Sequence, residues 1–113
     1  PGLIDAHVHV YAWSTNLLRV AQQPATYLGI AGARFLEAAL ARGFTTVRDV
    51  GGADVGLASA ARDGLVAGAR LIYGGRVISQ TGGHGDLRPG DHDLDDRHFC
   101  GCACHSDSFA TVA

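Results

Sequence analysis

The chain of 113 residues contains no methionine and no lysine, so all nine of its basic residues are arginine. Because residue 1 is a proline and not a translation start, we expect the chain to be part of a longer protein, for which we favour a cytoplasmic location. The absence of lysine excludes a phosphate-binding P-loop, which needs a lysine after its glycines. A dinucleotide-binding fingerprint is also excluded, because the glycines that follow residue 50 lack the required spacing.

Charge and long apolar runs are scarce as well. Charged residues make up 18% of the chain, the net charge is −2, and the arginines are scattered singly. Binding of nucleic acid requires a basic patch, so we expect no nucleic-acid partner. The longest stretch without a charged residue, residues 20–33, is too short to span a bilayer and contains Pro24. We therefore expect no membrane-spanning segment, whereas the 47% of hydrophobic residues predicts a folded core.

Cysteine is limited to three residues that lie close together, Cys100, Cys102 and Cys104. An odd number of cysteines cannot pair completely, and their alternate spacing differs from the two-residue gap of zinc-binding knuckles. We interpret the segment as a loop of small residues and expect no disulfide framework. The alternative is a metal-binding segment in which His98 or His105 joins the cysteines.

The order of the predicted elements indicates the fold class. Periodicity and boundary residues predict strands at residues 3–10, 44–50 and 71–78, helices at 26–41 and 54–62, a helical turn at 16–20 and a loop at 79–106. Asp54 is the predicted N-cap of the second long helix. Strands that alternate with helices, without a hairpin signal between them, are typical of parallel α/β folds. An open doubly wound sheet and a (β/α)₈ barrel are both compatible with this order.

The first predicted strand carries the chain's best candidates for metal ligands. His7 and His9 are two residues apart, so their side chains project from the same face of the strand, about 6 to 7 Å apart along the backbone. Neutral imidazole is a favoured ligand of zinc, and the two rings can converge on one ion. The alternative is a polar strand end without a metal. Asp5 shares this face and either accepts a ring N–H from one histidine or caps the neighbouring backbone.

Two adjacent charged residues, Arg48 and Asp49, end the second predicted strand. Neighbouring residues of a strand point to opposite faces, so these two side chains cannot both line the same side of the sheet. We expect one of them to form a buried salt bridge.

Three blocks of sequence resemble one known family. They are residues 1–9 (PGLIDAHVH), 42–52 (RGFTTVRDVGG) and 75–86 (GRVISQTGGHGD). The first block looks like the first-strand signature of the amidohydrolase superfamily, and the others are similar to its imidazolonepropionase-related branch, which includes prolidase-like dipeptidases. The resemblance implies that residues 1–113 form the N-terminal part of a (β/α)₈ barrel, with about three strands and two to three helices, and that residues 87–113 are a loop-rich segment after the third strand.

The resemblance also implies a chemistry. In this family the His-x-His pair, here His7 and His9, binds one or two divalent ions, with Zn²⁺ favoured, and the metal activates a water that hydrolyses a C–N bond. It suggests a dipeptide substrate whose carboxylate contacts His84, although a solvated loop histidine is the alternative. The family's bridging carboxylated lysine, two further histidines and a proton-shuttling aspartate cannot be assigned in this sequence, which contains no lysine. We therefore expect the catalytic residues beyond residue 113 and expect the chain alone to be inactive.

Two other functions remain open at this point. One keeps the barrel but takes a cyclic amide or amidine as substrate, as in imidazolonepropionase or a deaminase. The other is a non-catalytic metal-binding module. For the enzyme hypotheses the expected partner is a small molecule or a dipeptide, and the longer protein is free to form an oligomer.

Overall fold

The computed structural model describes residues 1–77 of the chain. In chain order its elements are β1 (Leu3–Val8), α1 (Leu17–Ala21), α2 (Ala25–Ala41), β2 (Phe44–Asp49), α3 (Val55–Arg62) and β3 (Arg70–Tyr73). The predicted alternation of strands and helices is confirmed, including the short helical turn, which forms α1. The first and third strands end earlier than predicted, so His9 lies just beyond β1 and the glycine pair at residues 74–75 lies beyond β3.

The three strands form one parallel sheet in the order β1-β2-β3. Asp49, the last residue of β2, is paired with Val8 on one side and with Tyr73 on the other. The register thus brings the carboxyl ends of all three strands to the same edge of the sheet. The pairing of β1 with β2 is irregular between Asp5 and Val8, and there the Arg48 Nε donates to the Ala6 carbonyl at 2.8 Å.

Helix α2 packs its apolar stripe against the sheet and α3. Its buried positions, Leu28, Gly32, Leu36 and Ala39, follow the three- and four-residue spacing of one helix face. Gly32 lies at the closest approach of the two helices, because a Cβ there would lie only 2.6 Å from the Leu57 Cδ2. The helix ends before Gly43, whose φ of 93° is strained for residues with a side chain.

The buried core joins the helices to the ends of β1 and β2. Its members are Val8, Val10, Tyr11, Val20, Ala21, Leu28, Leu36, Ala39, Val47, Ala53, Leu57, Ala69 and Leu71. Asp54 is the N-cap of α3, as predicted, and its Oδ1 accepts the Leu57 N–H at 2.9 Å. Other apolar side chains stay exposed within residues 1–77, including Leu3 and Ile4 on β1. No helix in this described range has both the length and the apolar character needed to cross a membrane.

Candidate metal centre

The two histidines of the first strand lie side by side at the carboxyl edge of the sheet. Their ring centres are 5.5 Å apart and the ring planes are inclined by 76°, and both side chains are exposed. A zinc ion lies about 2.0–2.1 Å from each ligating nitrogen, so two imidazoles bound to one ion at a tetrahedral angle have ring centres roughly 5 Å apart. The separation of His7 and His9 therefore fits a shared divalent ion.

The ring of His9 is held by a backbone carbonyl of the loop that follows β2. Its Nδ1 lies 2.7 Å from the carbonyl oxygen of Gly51. A carbonyl oxygen only accepts, so the proton of the neutral ring resides on Nδ1, and Nε2 keeps its lone pair. Histidines that bind metals commonly donate their second ring N–H to such an acceptor, which fixes both tautomer and ring orientation. His9 is thus prepared to bind through Nε2.

Asp5 makes the local contact that was the alternative prediction for it. Its Oδ1 accepts the backbone N–H of His7 at 3.1 Å, and within residues 1–77 the structure shows no hydrogen bond from Asp5 to a histidine ring. A role for Asp5 as the acceptor of a ring N–H, which would orient that ring, stays a prediction. The acceptor that does orient a ring, Gly51, was missed in the sequence because it contributes a backbone atom from 42 residues away.

The expectation of a buried salt bridge at the end of β2 is wrong for the described residues. Asp49 is completely buried, and its carboxylate accepts three backbone N–H groups instead: Val10 at 2.7 Å on Oδ2, and Gly51 at 2.9 Å and Ala53 at 3.1 Å on Oδ1. Charge-assisted hydrogen bonds of this kind stabilise a buried carboxylate without a cation. Arg48 points to the opposite, exposed side, as strand geometry requires.

The peptide group between Gly51 and Gly52 continues the network towards β3. Its carbonyl accepts from His9, while its N–H donates to the Gly75 carbonyl at 2.9 Å. The Gly74 N–H in turn donates to the Asp49 carbonyl at 2.8 Å. A Cβ at Gly51 would overlap Cγ2 of Val77. The glycine is therefore required by close packing at the position whose carbonyl holds His9.

A buried tyrosine lies beside this network. Burial raises the pKa of the Tyr11 phenol well above its usual range, and the charge of Asp54, its hydrogen bond with Tyr11 and the charge of Asp49 raise it further. The phenol consequently keeps its proton at neutral pH. Through Asp54, Tyr11 is linked to the N-cap of α3.

Within residues 1–77, no group of three or more histidine, cysteine, aspartate or glutamate side chains is placed to hold a metal. Zinc sites use three or four protein ligands. If His7 and His9 bind zinc, further ligands must come from outside this described range. The predicted substrate contact His84, the three cysteines and the loop predicted at residues 87–113 also lie outside it.

Comparison with known protein sequences identifies relatives over most of the chain. Residues 1–107 match the sequence profile described as the amidohydrolase family. Ochratoxinase from Aspergillus niger is 34% identical over 90 residues, which are 77% of this chain and 19% of that enzyme. The chain thus spans about a fifth of the length of this curated relative.

Solved structures agree with this assignment. A prolidase complexed with N-methylphosphonate-L-proline is 47% identical, with a TM-score of 0.82 over 92% of this chain and 26% of its own. A chain described as an amidohydrolase is 46% identical, with a TM-score of 0.78 over 94% of this chain and 25% of its own. Aspergillus niger ochratoxinase is 35% identical, with a TM-score of 0.66 over 77% of this chain and 21% of its own.

These matches decide between the two architectures that the sequence left open. The three parallel strands and their helices correspond to the N-terminal portion of the (β/α)₈ barrels of these neighbours, of which the chain covers about a quarter. The predicted partial barrel is confirmed, and the carboxyl edge that carries His7 and His9 is the edge where such barrels build their active sites. The chain belongs to the amidohydrolase family.

Proposed function

We propose that the protein containing this chain is a metal-dependent hydrolase of C–N bonds and that His7 and His9 are two of its metal ligands. The observation that carries this proposal is the hydrogen bond from the His9 Nδ1 to the Gly51 carbonyl. It leaves the Nε2 lone pair free on a ring that lies beside a second exposed histidine.

A divalent ion, for which Zn²⁺ is favoured and of which one or two are expected, supplies an activated water and polarises the scissile carbonyl when bound. The chain's own contribution is to hold and orient. His7 and His9 provide ligand nitrogens from one strand end, Gly51 fixes the tautomer of His9, and the exposed position of both rings leaves room for substrate. The groups that move protons during hydrolysis are expected beyond residue 113.

For the substrate we propose a dipeptide, with proline at its C-terminal position as the first choice. The support is the similarity to the prolidase complexed with N-methylphosphonate-L-proline, at 47% identity over 92% of this chain. The similarity to ochratoxinase supports the broader class of amide hydrolases. In this proposal His84 contacts the substrate carboxylate, so His84→Ala should raise KM for a dipeptide more than it lowers kcat.

The experiment uses the full-length protein, purified without chelator, and measures hydrolysis of X-Pro dipeptides, of other dipeptides and of cyclic amides. We expect the highest kcat/KM with dipeptides, and loss of activity in the His7→Ala/His9→Ala variant. Arg34→Ala is the matched surface control, because this exposed residue of α2 makes its ion pair with Glu37, away from the histidines.

Three results would contradict parts of this proposal. Preference for a cyclic amide would replace the dipeptide by the imidazolonepropionase-type alternative. Stoichiometric metal binding without any hydrolysis would support the non-catalytic module. Full activity in the double histidine variant would remove His7 and His9 from the site.

A further inference from the structure

We propose that Asp49 is a positioning residue, whose buried carboxylate holds His9 in the orientation of a metal ligand through the backbone at Val10 and Gly51. This inference rests on the proposed role of His9. It concerns a completely buried residue of the pair Arg48 and Asp49, one of which was expected to form a buried salt bridge.

The two oxygens of the Asp49 carboxylate bind two different segments of the chain. Oδ2 accepts the Val10 N–H at 2.7 Å, and Oδ1 accepts the Gly51 N–H at 2.9 Å. Val10 directly follows His9, so the first bond fixes the backbone from which the ring extends. Gly51 carries the carbonyl that receives the His9 Nδ1 proton. One carboxylate therefore fixes both the backbone that carries the His9 ring and the carbonyl group to which the ring is hydrogen-bonded.

Backbone pairing between β1 and β2 does not replace this support. Strand β1 ends at Val8 and β2 ends at Asp49. The last backbone bond between the two segments is from the Val50 N–H to the Val8 carbonyl, at 3.1 Å. Beyond that point His9 and Gly51 lie outside regular pairing. The Asp49 side chain takes the place of the missing backbone acceptor for Val10.

The chemistry of the Asp49 side chain suits these contacts. Three N–H groups converge on Asp49, with a third bond from Ala53 at 3.1 Å, and the residue is completely buried. Only a carboxylate offers two oxygens that both accept. An asparagine of the same shape directs an NH₂ group at one of these donors, so at least one of the bonds is lost.

The same network has a second, purely structural interpretation, in which Asp49 closes the loop and His9 is unaffected in the folded protein. The two interpretations differ in the state of the His9 ring. If Asp49 positions His9, the Nδ1 proton of the ring exchanges faster with solvent when Asp49 is substituted, even in a folded variant. If the role is only structural, the Nδ1 proton of folded variants exchanges at the wild-type rate.

The test uses the full-length protein with Asp49→Asn, Asp49→Ala and the control Asp54→Ala. The control destabilises the same loop by removing the N-cap bond of α3, at 2.9 Å to Leu57, and the interaction of Asp54 with Tyr11. It keeps Asp49, the acceptor of the Val10 and Gly51 N–H groups. Two quantities are measured below each variant's melting temperature: exchange of the His9 Nδ1 proton in metal-free protein by imidazole NMR, and Zn²⁺ affinity by chelator competition.

We expect Asp49→Ala to weaken Zn²⁺ binding by about 10-fold to 100-fold and Asp49→Asn by less, because partners behind a ligating histidine act on this scale. Both variants should accelerate exchange of the His9 ring proton, whereas Asp54→Ala should lower only the melting temperature. If Asp49→Ala does not fold, the isosteric Asp49→Asn decides, and wild-type exchange and affinity in that folded variant would overturn the proposal.

The proposal would also be overturned if Zn²⁺ affinity and protection of the His9 ring proton fell in both Asp49→Asn and Asp54→Ala in proportion to their losses in melting temperature. Failure of the proposed function has a different signature. In that case the wild-type protein binds no Zn²⁺, while ring-proton exchange in the metal-free protein still reports whether Asp49 holds His9.

Discussion

At the carboxyl edge of the sheet a buried carboxylate and a chain of glycine peptides hold the backbone, whereas at the amino edge close apolar packing does so. At the first edge Asp49 accepts from Val10 and Gly51, and Gly51 accepts from His9. At the second edge the Ala69 N–H donates to the Leu36 carbonyl at 3.0 Å, and a Cβ on Gly68 would lie 2.6 Å from the Leu36 Cβ.

Orientation and stability thus have separate sources in this chain. Polar contacts at the carboxyl edge fix one side chain, His9, which is itself exposed and adds little to the core. Contacts at the amino edge bury Leu36 and Ala69. In parallel α/β barrels the carboxyl edge holds the active site and the opposite edge contributes stability. Substitutions at the two edges should therefore change different measured quantities.

The largest expected effect is on activity. Changing both His7 and His9 to alanine in the full-length protein should lower kcat/KM by about 10³-fold or more, because the metal-activated water is lost. Both side chains are exposed, so the melting temperature of the metal-free protein should stay within a few degrees of wild type. Steady-state kinetics and thermal unfolding in the presence of chelator measure the two quantities. A large loss of stability in the metal-free variant would contradict the separation of roles.

At the amino edge Gly68→Ala should lower the free energy of unfolding by about 1–3 kcal/mol, because the added methyl group overpacks the Leu36 backbone. Urea unfolding of the full-length protein measures this loss. Zn²⁺ affinity of the folded variant should equal that of wild type. Weaker metal binding in Gly68→Ala would show that the two edges are coupled.

The matched change at the carboxyl edge is Gly51→Ala. Its methyl group overlaps the side chain of Val77, so the loop must shift and carry the carbonyl away from His9. We expect about 10-fold weaker Zn²⁺ binding by chelator competition. The double variant Gly51→Ala/Val77→Ala removes the overlap and should recover most of the affinity. If the affinity does not recover, the overlap with Val77 is not the cause of the weaker Zn²⁺ binding.

The smallest effect should come from the exposed ion pair of α2. The Arg34 Nη1 lies 3.0 Å from the Glu37 Oε2, and the two side chains are 79% and 40% exposed. Such pairs contribute about 0.5 kcal/mol or less. Arg34→Ala should leave activity and Zn²⁺ affinity unchanged and shift the urea midpoint barely measurably. A decrease of more than about 1 kcal/mol in the free energy of unfolding would show that Arg34 contributes to stability by more than this ion pair.

Local sequence patterns were sufficient to predict several parts of the fold. The alternation around His7 and His9 predicted that their rings lie side by side, as they do, although His9 lies one residue beyond β1. The 26–41 helix and the Asp54 cap are set by residues within one or two turns. These features depend on contacts between near neighbours, which periodicity and capping rules capture.

The contacts that hold His9 were not predictable in the same way. Val10 and Asp49 are 39 residues apart, and His9 and Gly51 are 42 apart. Both pairs meet only because of the register between β1 and β2. A buried salt bridge by Arg48 or Asp49 was expected because the sequence does not show which backbone N–H groups converge on a carboxylate. The roles of His84 and Asp5 stay predictions.

The most direct test of zinc binding by His7 and His9 is anomalous diffraction at the zinc edge from crystals of the full-length protein. We expect an anomalous peak about 2.0–2.1 Å from the His9 Nε2 and from one ring nitrogen of His7, with the His9 Nδ1 still hydrogen-bonded to the Gly51 carbonyl. Zinc bound through the His9 Nδ1, or crystals of zinc-loaded protein without a peak between the two rings, would contradict it.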